Sequence, residues 1–380
     1  MNPTANPIAP DIITIRHPLV ERFFSVDVEL FKRQLADLES EIAPDVIPER
    51  NDPFHCRILK AFRDSQEACR HFENECEDRA VVQDVQTQFR GETDQWFRHS
   101  WIAHRARTKP SGFAGDYEML LKLYAEATPA RGLGGYLDLC ILDLPLARAV
   151  RARLVAAKEF LIGEVASRTG DVRVLDIACG PCHEYRDWPE FGAGRGIEIV
   201  AMDSDPNALT YIEETFGQQL TTETNLRAVR YNALRTRSAA ATARKFGKFD
   251  ILYSVGLCDY LSDEHLIGML AAWRDTLNDG GVLYVAFKDS ERYHQTPYQW
   301  HLDWFFFQRT RQDLLRLFEN AGFDVDGIET TRDDTGIIIN WIDRRPGTTR
   351  IDAAHTILPH GLQSVGGGSV PKVGAMKPDA

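Results

Sequence analysis

Val174-Leu175-Asp176-Ile177-Ala178-Cys179-Gly180 is an apolar run that carries one carboxylate and closes on small residues. Bounded in this way, it reads as a buried strand followed by a sharp turn, continuing through Pro181 and Cys182. In open α/β sheets, ligands bind at such carboxyl ends, and small side chains there let the backbone approach a ligand closely. One strand and one helix further on, Ile199-Val200-Ala201-Met202-Asp203-Ser204-Asp205 puts an acid at a second strand end. A carboxylate in that position can accept both hydroxyls of a ribose.

Working outward, short β-branched runs alternate with helical patterns after Gly170, which is the signature of βαβ units and a parallel sheet. Strands are expected at 173–178, 198–203, 226–231, 250–255 and 282–287, and helices near 184–188, 206–216, 239–246 and 263–277. A helix at 310–320 follows, then two strands at 323–329 and 336–341 joined by a turn containing Asp333 and Asp334. Upstream, Phe23, Phe31, Leu35 and Leu38, then Phe54, Ile58, Leu59 and Phe62, recur at helical spacings. Further helices are expected at 116–126, stopped by Pro129, and at 147–168. The expected organisation is a flexible N-terminus (1–19), an all-helical domain (20–150), a ligand-binding α/β domain (151–344) and a flexible tail (345–380) with Gly366-Gly367-Gly368.

Composition narrows the function classes. A formal charge of −12 disfavours nucleic acid, whose binding relies on Lys and Arg neutralising phosphates, so a small-molecule partner is expected. No window approaches the roughly 20 apolar residues of a membrane span. Pro3, Pro7, Pro10 and Asp11 replace the basic and apolar segments of a secretory signal, and the expected compartment is the cytoplasm. Seven cysteines without a regular framework suggest reduced thiols.

Three chemistries compete for the first turn. Cys179-Gly180-Pro181-Cys182 is a C-x-x-C at a strand-to-helix junction, as in redox domains. Cys179, Cys182 and His183 could ligate zinc, but no second ligand pair stands at metal spacing, and no metal is expected. A nicotinamide site would need the further glycines of G-x-G-x-x-G to admit a pyrophosphate, and the loop lacks them.

Residues 172–288 resemble the class I S-adenosylmethionine-dependent methyltransferases. The resemblance rests on the Asp176–Gly180 loop, Asp203, the pair Asn232-Ala233, the strand Phe249-Asp250-Ile251-Leu252-Tyr253-Ser254 and the turn Leu277-Asn278-Asp279-Gly280-Gly281-Val282-Leu283. It implies a seven-stranded Rossmann-like sheet with an antiparallel last strand, and S-adenosylmethionine as cofactor. Asp176, Ala178, Cys179, Gly180, Asp203, Ser204, Asn232, Ala233 and Ser254 would then contact the cofactor, Asn232 at the adenine and Ser254 near the methionine end. Gly112-Phe113-Ala114-Gly115-Asp116-Tyr117-Glu118-Met119, Gly256-Leu257-Cys258-Asp259-Tyr260-Leu261 and Leu302-Asp303-Trp304 with Arg309-Thr310 are similar to bacterial methyltransferases forming 3-hydroxypalmitate methyl ester.

Methyl transfer from a sulfonium is an in-line displacement, so alignment and exclusion of water dominate. A carboxylate acceptor is ionised at neutral pH and needs cations or donors, for which Tyr117, Tyr260, His294, Arg309 and His301 are candidates. An amine would instead need carboxylates such as Asp116, Glu118 or Asp259, and a phenol would need a base such as His294 or His301. A cofactor-binding regulatory protein without chemistry is the alternative of another class. Residues 112–124 are the expected lid. The aromatic run Trp300, Trp304, Phe305, Phe306 and Phe307 suits a core or an acyl pocket equally.

Overall fold

The computed structural model describes residues 18–347 apart from residue 193; the two expected flexible ends, but for 18–19 and 345–347, lie outside the described residues. The upstream apolar spacing forms helices. α1 (Pro18–Arg22) runs through a π-helical turn, Phe23–Val28, into α2 (Glu29–Glu41). It is followed by α3 (Pro53–Glu75), α4 (Arg79–Phe97), α5 (Trp101–Thr108), α6 (Tyr117–Tyr124), α7 (Gly132–Leu142) and α8 (Pro145–Ala166). Asp52, Asp78, Ser100 and Asp116 each accept a first-turn N–H and so fix the starts of α3 to α6. α7 is buried throughout and apolar but for Asp138, as a core helix must be nearly all round. Gly134 is required there, because a Cβ would stand 2.1 Å from the His99 carbonyl oxygen.

The sheet contains β1 (Val172–Ile177), β2 (Ile197–Asp203), β3 (Thr224–Arg230), β4 (Phe249–Ser254), β5 (Leu277–Lys288), β6 (Glu329–Arg332) and β7 (Ile338–Arg344). Its order is β3-β2-β1-β4-β5-β7-β6. β1 to β5 pair in parallel, whereas β7 runs antiparallel to β5 and β6. This is the expected seven-stranded α/β sheet. Side chains alternate between its faces. Val174, Ile199, Ile251 and Val282 join the core of the upstream helices, while Leu175, Val200, Leu252 and Leu283 pack under α10 (Ala239–Phe246), α11 (Asp263–Thr276) and α12 (Arg311–Asn320). α9 (Pro206–Phe216) follows β2.

Some expectations change. The helix near 184–188 is a single 3-10 turn, His183–Tyr185, because Cys182 is left-handed (φ 51°) and Pro189 follows closely. The strand expected over 323–329 is instead a 3-10 turn, Val325–Gly327, followed by the short β6. The boundary expected near residue 150 falls inside α8.

The helical half and the sheet are clipped together by the segment after β5. Its π-helical turn, Pro297–His301, enters the upstream helices. The Trp300 Nε1–H donates to Glu73 at 2.8 Å, and the Tyr298 hydroxyl accepts from the Leu146 N–H at 2.8 Å. His301 sits among Phe31, Phe62, Phe89 and Phe97, with ring centroids 4.7 to 6.1 Å away. Burial pulls its imidazole down to about 3, so the ring is neutral.

The unfolded chain protonates this histidine near 6.5, its ordinary value, and the folded chain does not do so until about 3. Stability contributed by neutral burial is therefore lost as pH falls from 6.5 toward 3, at up to about 1.4 kcal/mol per pH unit. His301→Phe is expected to flatten that part of the slope. Urea melts of both proteins at pH 4, 5 and 6 with identical pH slopes would contradict the assignment.

Candidate active site

The turn after β1 is built from left-handed residues: Ala178, Gly180 and Cys182 have φ of 58°, 54° and 51°. Such backbone is costly outside glycine, so surrounding bonds must hold it. The Cys179 N–H donates to the Met202 carbonyl at 3.1 Å, and the Gly180 N–H donates to Asp203 Oδ2 at 3.0 Å. The other carboxylate oxygen of Asp203 accepts from the Asp205 N–H at 2.9 Å. Burial raises the Asp203 carboxyl, and the backbone N–H bonds oppose that rise. The Ser254 hydroxyl donates to the Ile177 carbonyl at 2.9 Å, tying β4 to β1 just below the turn.

A cavity of about 310 Å³ opens at these strand ends. Ala178, Gly180, Asp203 and Ser204 form one wall. The facing wall is largely apolar, from Leu120 and Leu123 of α6, Leu146 and Val150 of α8, and Trp304 and Phe306. The Trp304 Nε1–H donates to the Tyr260 hydroxyl at 2.8 Å. Gly115 lies against this pair, where a Cβ would stand 2.9 Å from both side chains. Leu120 reaches to 3.3 Å from where a Cβ on Gly180 would be, so the expected lid segment lies over the turn. The aromatic run divides by position: Trp300 is helical core, Trp304 and Phe306 line the cavity, and Phe305 and Phe307 are exposed.

Other expected residues stand elsewhere. Asp176 and Cys179 lie buried and outside the lining, and Ser254 is a structural tie. Asn232 and Ala233 follow β3, next to the Tyr231 N–H that donates to the Asp203 carbonyl at 2.8 Å, but outside the cavity wall. Tyr117 and Tyr260 line the cavity. Arg309 does not, because its guanidinium is committed to Asp263 at 2.7 Å and to the Cys258 and Leu261 carbonyls. His294 is exposed beside Arg70, and His301 is in the helical core. Asp116 caps α6 and pairs with Arg105 at 2.8 Å; Glu118 pairs with the same Arg105 at 2.7 Å. Asp259 pairs with Lys288 at 2.6 Å.

Two charged wall residues escaped the sequence reading, Arg153 and Lys288. Each carried a signal. Arg153 occupies a place in the stripe Leu146, Val150, Ala157 and Leu161 that α8 buries, and Lys288 ends the buried apolar run Val282–Phe287 of β5.

Beneath the turn, the Tyr253 hydroxyl lies 2.6 Å from both Asp176 and Glu184. One hydroxyl proton cannot serve two carboxylates, so one acid keeps its own proton. Burial, with Glu184 adding to it, pushes Asp176 up, and burial pushes Glu184 up. Asp176, Cys179 and Cys182 bring three ligand atoms within 4.8 Å of one another. Burial pushes the Cys179 thiol up to about 12 and Cys182 well above its ordinary value, so both are neutral and poorly reactive. The His183 ring stacks on Tyr124 at 5.3 Å. Of the seven thiols only Cys56 is exposed. Native protein treated with a disulfide reagent is therefore expected to release one equivalent of chromophore quickly and the rest only on unfolding. Fast release from Cys179 or Cys182, located by peptide mapping, would restore the redox reading.

No protein-family model and no curated protein matches the chain. Among solved structures it is similar to a possible exported protein from Bordetella parapertussis, at 18% identity over 85% of this chain and 97% of the other, TM-score 0.49. It is also similar to magnesium protoporphyrin IX methyltransferase from Synechocystis with bound SAM, at 10% identity over 52% and 83%, TM-score 0.35. A third is an S-adenosylmethionine-dependent methyltransferase from Clostridium acetobutylicum, at 13% identity over 50% and 91%, TM-score 0.34. Likenesses this distant carry no argument about chemistry; the fold rests on the strand order itself. No helix among the described residues is long and apolar enough to cross a membrane.

Proposed function

We propose that this chain is an enzyme that transfers a methyl group from S-adenosylmethionine to a small molecule, with a carboxylate oxygen of a fatty or hydroxy acid as the acceptor. The observation that carries the reading is the Asp203 carboxylate, fixed by the Gly180 and Asp205 N–H groups at the rim of a cavity whose far wall is apolar. The residues suit the donor. Asp203 can accept the ribose hydroxyls, Ala178 and Gly180 leave room for a close approach, and the turn makes no provision for a pyrophosphate. Asn232 would meet the adenine at the neighbouring strand end.

S-adenosylmethionine, when bound, supplies an electrophilic methyl group. The protein's part is to bind, orient and dry the reactants. Leu120, Leu123, Trp304 and Phe306 exclude water along the acceptor side, and the bond between Trp304 and Tyr260 fixes the orientation of both rings. An ionised acid needs no general base, and His294 and His301 are placed where neither could serve as one. The amine alternative fares worse, because Asp116, Glu118 and Asp259 are each paired with a cation and none of the three lines the cavity. The helical segment 20–150 would then act as the cover of the site, and the cytoplasm suits its reduced thiols.

Calorimetry is expected to show binding of S-adenosylhomocysteine, weakened about ten- to hundred-fold in Asp203→Asn, the loss of a charged hydrogen-bond acceptor. Affinity should also fall as the pH drops through the raised value of Asp203, since only the ionised form accepts two hydroxyls. Mass spectrometry of acid, amine and phenol libraries should find methyl gain among acids. Absence of any binding together with an inert Asp203→Asn change would sink the reading; binding without turnover would favour the regulatory alternative.

A further inference from the structure

Arg153 and Lys288 are the cations of the cavity wall, and they are not equivalent. Lys288 is neutralised by Asp259 at 2.6 Å and lies over the Phe306 ring at 4.0 Å. Arg153 is 4% exposed and, among the described residues, makes no ion pair. Its guanidinium hydrogen-bonds the Tyr124 hydroxyl, and its charge also acts on Glu184, Tyr260, Tyr284 and Lys288. One terminal nitrogen lies 3.6 Å from where a Cβ on Gly256 would stand. Glu184, the acid on which it acts, is engaged with Tyr253 at 2.6 Å.

Burying a guanidinium costs several kcal/mol unless a counter-charge meets it. Tyr124 is a neutral neighbour and Glu184 is engaged with Tyr253, so a direct counter-charge has room to arrive through the cavity that Arg153 lines. A guanidinium offers two parallel N–H donors, the fork that a carboxylate accepts. We infer that Arg153 is the carboxylate anchor of this site, a residue that positions the reactants without joining the bond changes. The inference rests on the proposed methyl transfer, in which two carboxylates enter the cavity: that of the donor's amino-acid end and that of the acceptor. The chemistry of recognition is the same for both.

The test is calorimetry on the full chain and on Arg153→Met, with four probes in two pairs. S-adenosylhomocysteine is set against 5′-methylthioadenosine, which lacks the amino-acid end, and decanoate against methyl decanoate. Arg153→Met should weaken one acid-bearing probe about ten- to hundred-fold and leave its uncharged counterpart unchanged. Loss confined to S-adenosylhomocysteine assigns the donor's carboxylate, and loss confined to decanoate assigns the acceptor's. Unchanged binding of both acids, or equal weakening of the uncharged probes, overturns the anchor. Arg153→Gln, closer in length and polarity, provides the same comparison if the Met variant does not fold. If wild-type protein ignores S-adenosylhomocysteine but binds decanoate through Arg153, the donor reading fails and the anchor stands; if it binds neither, both fail.

Discussion

Everything at the carboxyl edge of the sheet depends on one carboxylate accepting two backbone N–H groups from different loops. Asp203 takes Gly180 N–H at 3.0 Å from the turn after β1 and Asp205 N–H at 2.9 Å from the turn after β2. The first of these turns holds Ala178 and Cys182 in left-handed backbone, conformations that cost of order 1–3 kcal/mol each for such residues. The Asp203 bond and the Cys179 bond to β2 offset that cost and fix the turn to the neighbouring strand. A group that both shapes the loop and faces the cavity cannot be altered for one purpose alone.

The second constraint is mechanical. Were the helices a loosely attached cover, the apolar wall facing Asp203 would have no fixed position. Instead the chain leaves β5, enters the helices at Pro297–His301 and returns along the cavity through Trp304 and Phe306. Trp300 and His301 are thus the fixed end of a strap whose middle lines the site. Arg107 strengthens it by donating from Nε to the His301 carbonyl at 2.8 Å. Packing in the helical half thereby sets the distance between the two walls.

What was legible in the sequence follows from how local each signal is. The strand ends at Asp203 and Gly180 and the helices 206–216 and 239–246 are set by periodicity and neighbouring turn residues, and they appear where expected; the closing antiparallel pair also forms, but with its first strand moved to Glu329–Arg332. The helix near 184 failed because a proline and a left-handed cysteine outweighed the βαβ pattern. The polar residues expected to meet the acceptor were misjudged for another reason. Arg309, Asp259 and Asp116 look free in sequence, but Asp263, Lys288 and Arg105 occupy them in space. Charge neutralisation is a tertiary property, and a list of polar side chains does not reveal which of them retain an unmatched charge.

That same principle makes the cavity's polarity informative. Ion pairing consumes the acids and most of the cations near the site, and tight aromatic packing consumes the histidine, so the few polar groups left facing the space define what can enter it. On one side these are Asp203 and its loop, suited to hydroxyl donors. On the other, across apolar walls, the charge left without a counter-ion is positive. A neutral or cationic acceptor would leave that charge unmatched unless the donor's own carboxylate meets it, a penalty that an anionic ligand removes. On the proposed reading, selectivity for an acid would follow from what the fold has already neutralised as much as from any contact it offers.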